Sequence, residues 1–230
     1  ILGRSSELDT RLGEMSVQMR GPLLVGASTT IAEFMLPRIL GEFNSLYPQV
    51  RARLTVANSE AIENRIAERS LDVGLIEIET KNQNLLSEVC CEDELQVICT
   101  PDYPLSGMRS VTPQVLLDYE FVSREQGSGT RDVTDNYFRE AGVSPDRLKT
   151  LMELGSPEAL KGVVSTGLGF AILSRASVDK EVQLGSLIAI PLQPRLTRRL
   201  SLLSPKGKFR SRVVTTFMEF AKRRLRELAA

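Results

Sequence analysis

Three short stretches of the sequence hold the residues best suited to chemistry. Residues 23–31 (LLVGASTTI), 120–131 (EFVSREQGSGTR) and 151–159 (LMELGSPEA) each read as an apolar strand, a small polar loop and the opening turn of a helix. Such an opening turn leaves backbone N–H groups unpaired and carries partial positive charge, so it suits a small anion. Ser28, Thr29 and Thr30 follow the first strand, where their hydroxyls either grip an oxyanion or cap the next helix. The second loop holds Gln126, Gly127, Ser128, Gly129 and Thr130. Its two glycines allow the backbone to turn N–H groups inward, which makes it the strongest anion cradle in the chain. Arg124 and Arg131 flank it, each either a bidentate clamp or a solvated surface arginine. Asn58 and Ser59 end another strand, where ligand contact and capping of the following helix compete. Glu153 and Ser156 bracket the third loop. A carboxylate repels a neighbouring anion, so Glu153 points away, orients a donor or takes a proton from the ligand.

Composition removes several other chemistries. The 230 residues contain no His, which excludes imidazole acid–base catalysis and His metal ligands. Cys90, Cys91 and Cys99 fit no zinc spacing, and an odd set in apolar stretches reads as reduced thiols of a cytosolic protein. No nucleophile–base pair stands out, so neither an enzyme nor a bound cofactor or metal is expected. Lys plus Arg equals Asp plus Glu at 29 each, so net charge draws the chain toward neither nucleic acid nor membrane. No apolar run approaches the ~20 residues of a membrane helix.

These loops need elements to hold them. Residues 1–20 place Ile1, Leu8, Leu12, Met15 and Met19 at steps of four and three, with Ser5 in the one weak place. That spacing is coiled-coil-like, or else a helix packing on its own domain. Strands and helices then alternate: strands at 23–27, 51–57 and 72–78, and helices at 31–47 and 60–69, with Pro37 kinking the first helix or marking the start of its main part. Residues 88–104 read as strand material broken by an acidic bend, with Pro101 and Pro104 as a first hinge. A second series follows, with strands at 119–123, 149–154 and 169–173 and helices at 130–141 and 157–165. The run 187–194 is the return hinge, 198–205 a further strand, and 212–228 an amphipathic helix with Val213, Phe217, Phe220 and Leu228 on one side. The KRRLRE run at 222–227 reads as a solvated helix face. Parallel strands with helical crossovers imply an α/β fold, and two halves joined by two crossings imply a ligand cleft.

At this point the residues resemble a known family. Residues 26–50 (GASTTIAEFMLPRILGEFNSLYPQV), 65–78 (RIAERSLDVGLIEI) and 162–175 (GVVSTGLGFAILSR) are similar to the ordered motifs of the effector-binding domain of LysR-type transcriptional regulators. The resemblance implies an α/β, two-lobed type 2 periplasmic-binding-protein fold. It makes residues 1–20 the end of a dimerising linker helix, 21–100 plus 194–230 one subdomain, and 101–193 the other. The DNA-binding winged helix-turn-helix lies outside this chain. The implied partners are a small anionic effector, a second copy (four copies when full length), and DNA through the missing domain; the implied location is the cytoplasm, with no membrane contact. The expected effector site comprises Ser28, Thr29, Thr30, Asn58, Arg124, Gln126, Ser128, Gly129, Thr130, Glu153 and Ser156. The first and second loops most resemble the subgroup controlling sulfur metabolism, which makes sulfite or a related sulfur oxyanion the first ligand expectation. A solute receptor of a transport system, sharing this fold, is the alternative.

Overall fold

A computed structural model describes residues 19–78, 80, 82–207 and 210–228. The seam positions Ile1, Leu8, Leu12 and Met15 lie outside the described residues. Met19 is buried in the first core, so this end of the segment packs on its own domain. In chain order the elements are β1 (Gly21–Ser28), α1 (Thr29–Phe34), α2 (Leu36–Leu46), β2 (Val50–Ala57), α3 (Ser59–Ala67), β3 (Val73–Ile76), β4 (Leu85–Cys99) and α4 (Pro113–Leu116). They continue with β5 (Glu120–Arg124), α5 (Gly129–Glu140), β6 (Lys149–Leu154), α6 (Pro157–Val164), β7 (Ala171–Ser174), α7 (Asp179–Gln183), β8 (Ile188–Pro205) and α8 (Arg212–Leu228).

The main sheet has the order β2-β1-β3-β8-β4-β7, and β5 pairs with β6. β1 runs parallel to β2 and β3, but β8 is antiparallel to β3 and β4, and β7 is antiparallel to β4. The sheet is therefore mixed rather than parallel throughout. β5 joins its rim through Phe170, which accepts from Val122 N at 2.8 Å and donates to Glu120 O at 2.9 Å. Gly169 is required just before this contact, because a Cβ there would meet Glu120 O at 2.5 Å.

The expected helix over 31–47 is two helices. α1 ends at Phe34, and Pro37 sits in the first turn of α2, where its missing N–H costs nothing. The acidic bend expected in 88–104 is absent: β4 is continuous from Leu85 to Cys99, with register shifts at Val89/Cys91 and Leu95/Gln96. Likewise 187–194 and 198–205 form the single strand β8. Backbone pairing along the whole length of β4 and β8 outweighs the local prolines and charges.

Helices cover both faces. On one face α1, α2 and α8 bury Leu36, Ile39, Phe43, Phe217 and Phe220 against β1 and β3. Phe43 is the centre, with ring centroids at 4.8 Å from Tyr47, 5.2 Å from Phe217 and 5.4 Å from Phe220. On the other face α3 lays Ile62 and Ile66 against Gly26 and Gly74, where a Cβ would lie 3.1 Å and 3.0 Å from the nearest Ile62 atom. Two further clusters, centred on Phe121, Phe138 and Phe170 and on Val122, Leu160 and Leu173, form the second half. α8 departs from its expected pattern at Leu228, which is exposed. The charged residues of 222–227 lie on the solvent-facing side, where Lys222 binds Glu88 at 2.9 Å, Arg224 reaches Glu42 at 2.8 Å, and Arg226 donates to Cys90 O. Among the described residues no helix is long and apolar enough to cross a membrane.

Two measurements test this packing. Phe43→Ala removes the hub of an aromatic cluster and lowers stability by about 3–5 kcal/mol in urea unfolding. The three cysteines are free thiols. Burial pushes Cys90 and Cys99 up to about 11, and burial with the nearby Cys90 and Asp93 pushes Cys91 up to about 12. Native-state alkylation at pH 8 is therefore expected to run roughly 100-fold slower than for free cysteine. Above about pH 8.5 unfolded thiols ionise while the folded ones keep their protons, so stability falls as pH rises toward 11. Rapid labelling at pH 8 would contradict the burial described.

Candidate functional site

Strand ends bring the loops together. Ser28 stands opposite Ala57 in the β1–β2 register, which sets it beside Asn58. In the second half, Ser123 and Arg124 stand opposite Glu153 and Leu154, so the loops after β5 and β6 are neighbours. The two pairs of ends then meet. Asn58 Nδ2 donates to Gln126 O at 3.3 Å, and Glu60 N donates to Gly127 O at 3.3 Å. On the other flank Lys161 Nζ, on α6, lies 5.0 Å from the centre of the Phe34 ring at the end of α1, a cation–π contact.

Within this cleft Ser28 is 2% exposed, and its Oγ has no hydrogen-bond partner among the described residues. Thr29 and Thr30 beside it are also buried. Ser128 stands at the N-terminus of α5, buried, and its side chain makes no capping bond. The first-turn N–H groups of α5 begin at Gly129 and Thr130. Gly127 has φ +81°, so the turn does require glycine there. Gln126 is exposed, and its backbone rather than its side chain makes the contact with Asn58.

Several sequence-stated alternatives resolve into one geometry. Asn58 caps α3, accepting from Ala61 N at 3.0 Å, while its amide nitrogen spans to the second loop. Ser156 caps α6 by accepting from Ala159 N at 3.5 Å. Arg124 is no surface arginine: it is buried and holds Glu125 through two bonds, at 2.9 and 3.1 Å. Arg131 pairs with Glu153 at 2.8 Å and donates to Arg124 O at 3.2 Å. Glu153 is exposed and holds the Arg131 guanidinium through this pair. Thr130 Oγ1 accepts from Arg198 Nη1 at 2.8 Å.

The sequence reading missed five charged residues around these loops. Lys161 is buried and pairs with Glu158 and Glu181, both at 2.8 Å. Burial opposes its charge, but those two carboxylates outweigh burial and hold its pKa above the usual lysine value. Glu33 on α1 is raised, first by burial and then by Glu158, against the pull of Arg124 and Lys161. Glu77, Asp93 and Arg198 form a buried ionic cluster beneath Gly129 and Thr130. A charge in the apolar run LIEI was the available signal for Glu77; nothing in RLTRRL singles out Arg198 from its arginine neighbours. Two hollows, about 860 and 590 Å³, flank the long strands, and neither is lined by Ser28, Thr29 or Ser128. The dual role of Asn58 gives a test by unfolding. Asn58→Ala loses the cap and costs ~1 kcal/mol. Asn58→Asp keeps the capping oxygen and stays near the parent stability; equal losses in both would show that the cap is not what Asn58 contributes.

Comparison with known proteins agrees with the architecture. The LysR substrate binding domain profile matches residues 16–226. A probable RuBisCO transcriptional regulator of Cyanidium caldarium is 31% identical over 223 residues, covering 94% of this chain and 70% of that protein. YeiE of Escherichia coli K12, an uncharacterized HTH-type transcriptional regulator, is 34% identical over 202 residues, covering 87% of this chain and 67% of that one. The regulatory domain of Synechocystis PCC6803 CcmR in complex with 2-PG superposes with a TM-score of 0.81 at 30% identity, over 89% of this chain and 97% of that one. These relatives are regulators rather than enzymes, and none of the three is named for sulfur metabolism. The mixed sheet and its covering helices are the type 2 periplasmic-binding-like α/β fold, and the chain belongs to the LysR family of transcriptional regulators as a LysR substrate-binding domain.

Proposed function

We propose that this domain senses a small anion held between residues 28–30 and 126–130, with Arg124 and the loop of Glu153 and Ser156 behind it. The observation that carries the reading is the Ser28 hydroxyl, buried and without a hydrogen-bond partner among the described residues. Native proteins rarely leave such a group unpaired unless something else binds it. Ser128, with an uncapped hydroxyl at the start of α5, supplies the opposite jaw. The lobe boundary proposed here falls within the long strands rather than at the prolines. Cys91 and Leu200 pack with the first core, and Leu95 and Leu196 with the second. Rotation about these few residues changes the angle between lobes. In the full regulator, two copies paired through this domain and its linker would carry that change to DNA-binding heads.

2-PG is the first ligand to try, because a 30%-identical regulatory domain is seen with it. Sulfite is the second, on the strength of the loop resemblance. Titration calorimetry of the domain with 2-PG, sulfite, sulfate and small carboxylates is expected to show one anion binding at a single site. Thr29→Ala and Ser128→Ala should each weaken that binding roughly tenfold, the worth of one hydrogen bond to a charged group. Binding unaffected by both substitutions would move the site elsewhere.

A further inference from the structure

Gly129 stands in the α5 first turn, and the sequence explains it as a donor of backbone N–H. The structure gives it a second task. A Cβ built on Gly129 would lie 2.8 Å from Ser59 Oγ, 3.0 Å from Glu77 Oε2 and 3.1 Å from Ile78 Cγ2, all three from the other lobe. Only a bare Cα lets the lobes meet at this distance. The atoms it meets are themselves fixed: Ser59 Oγ donates to Glu77 Oε2 at 2.7 Å, and both residues are buried.

One guanidinium ties this seat together. Arg198 Nη1 donates to Thr130 Oγ1 at 2.8 Å and lies 3.6 Å from Glu77 Oε1. Its Nε donates to Asp93 Oδ2 at 2.8 Å, and Asp93 Oδ1 accepts from Ser174 Oγ at 2.7 Å. Asp93 and Arg198 are directly opposed partners on β4 and β8. Arg198 therefore joins Glu77 of one lobe, Thr130 of the other, and both long strands between them. We propose that Arg198, with the Ser59–Glu77 pair, positions the anion cradle by locking the lobes together over Gly129. A rotation that parts the lobes pulls Thr130 from Arg198 or Arg198 from Glu77, and so leaves a buried polar group unmatched. The lock makes the closed cleft the favoured state, and the effector gains affinity from lobes that already meet. This rests on the reading of residues 126–130 as effector-binding, but the lock itself is measurable without any ligand.

The test is Gly129→Ala. The added methyl suits a helix start, which offsets part of the cost of parting the seat, so the variant should still fold. It does obstruct the seat. Spin labels at exposed Glu68 and Leu184, one on each lobe, report the separation by pulsed electron resonance in ligand-free protein. The parent should show one distance, and Gly129→Ala a second, longer population. Affinity for 2-PG should drop about tenfold if the closed fraction falls to about a tenth. Thr130→Val removes the Arg198 partner on the second lobe while leaving the seat itself clear, and should also populate the longer distance. A single unchanged distance in both Gly129→Ala and Thr130→Val overturns the lock. Absence of binding to 2-PG and sulfite in the parent would sink the effector reading while leaving the distance measurement decisive for the lock.

Discussion

The antiparallel pairing of β4 with β8 is the interaction on which the rest of the molecule depends. It runs from Leu85 opposite Pro205 to Cys99 opposite Ile188. It brings together residues about a hundred positions apart, and among the described residues it is the ladder that carries both cores. The first core hangs on one end of it and the second core on the other. Register shifts at Val89/Cys91 and Leu95/Gln96 interrupt the ladder where the cores change over. Such shifts bend a strand and increase its local twist. The two cores therefore meet across this bent, twisted stretch of the ladder.

Charge burial at the same junction ties the two halves together. Arg198 and Asp93 face each other there, and Glu77 and Thr130 approach from opposite sides. An arginine so deeply buried is tolerated only with partners on several sides. Neither half supplies all of those partners, so this set of contacts exists only with the halves together. The Phe34–Lys161 contact on the far flank has the same character: Lys161 is held by Glu158 and Glu181 within its own lobe and meets an aromatic ring from the other.

Much of this was legible in the residues. The apolar run of β1 and the loop after it, the Gly-Ser-Gly loop of the second half, Asn58 as a strand-end polar group and the amphipathic α8 all follow from local pattern, because strand burial, helix capping and helix amphipathicity are short-range requirements. The family motifs at 26–50, 65–78 and 162–175 extended this to the fold. The prolines and acidic residues of 88–104 and 187–205 misled it, since local breakers were weighed without the long-range ladder that overrides them. Glu153 looked awkward beside an anion for a similar reason: its partner Arg131 lies 22 positions away and on another element.

The sequence by itself determined the α/β alternation, the family and the strand-end loops whose hydroxyls and N–H groups suit an anion. Those properties depend on residue type and near neighbours. The tertiary structure alone decided that the sheet is mixed, that Gly129 is a seat for Ser59 and Glu77 as well as a loop residue, and that Arg198 lies buried among partners from both lobes. Burial and pairing of a charge depend on what other segments bring to it, and no spacing along the chain records that meeting.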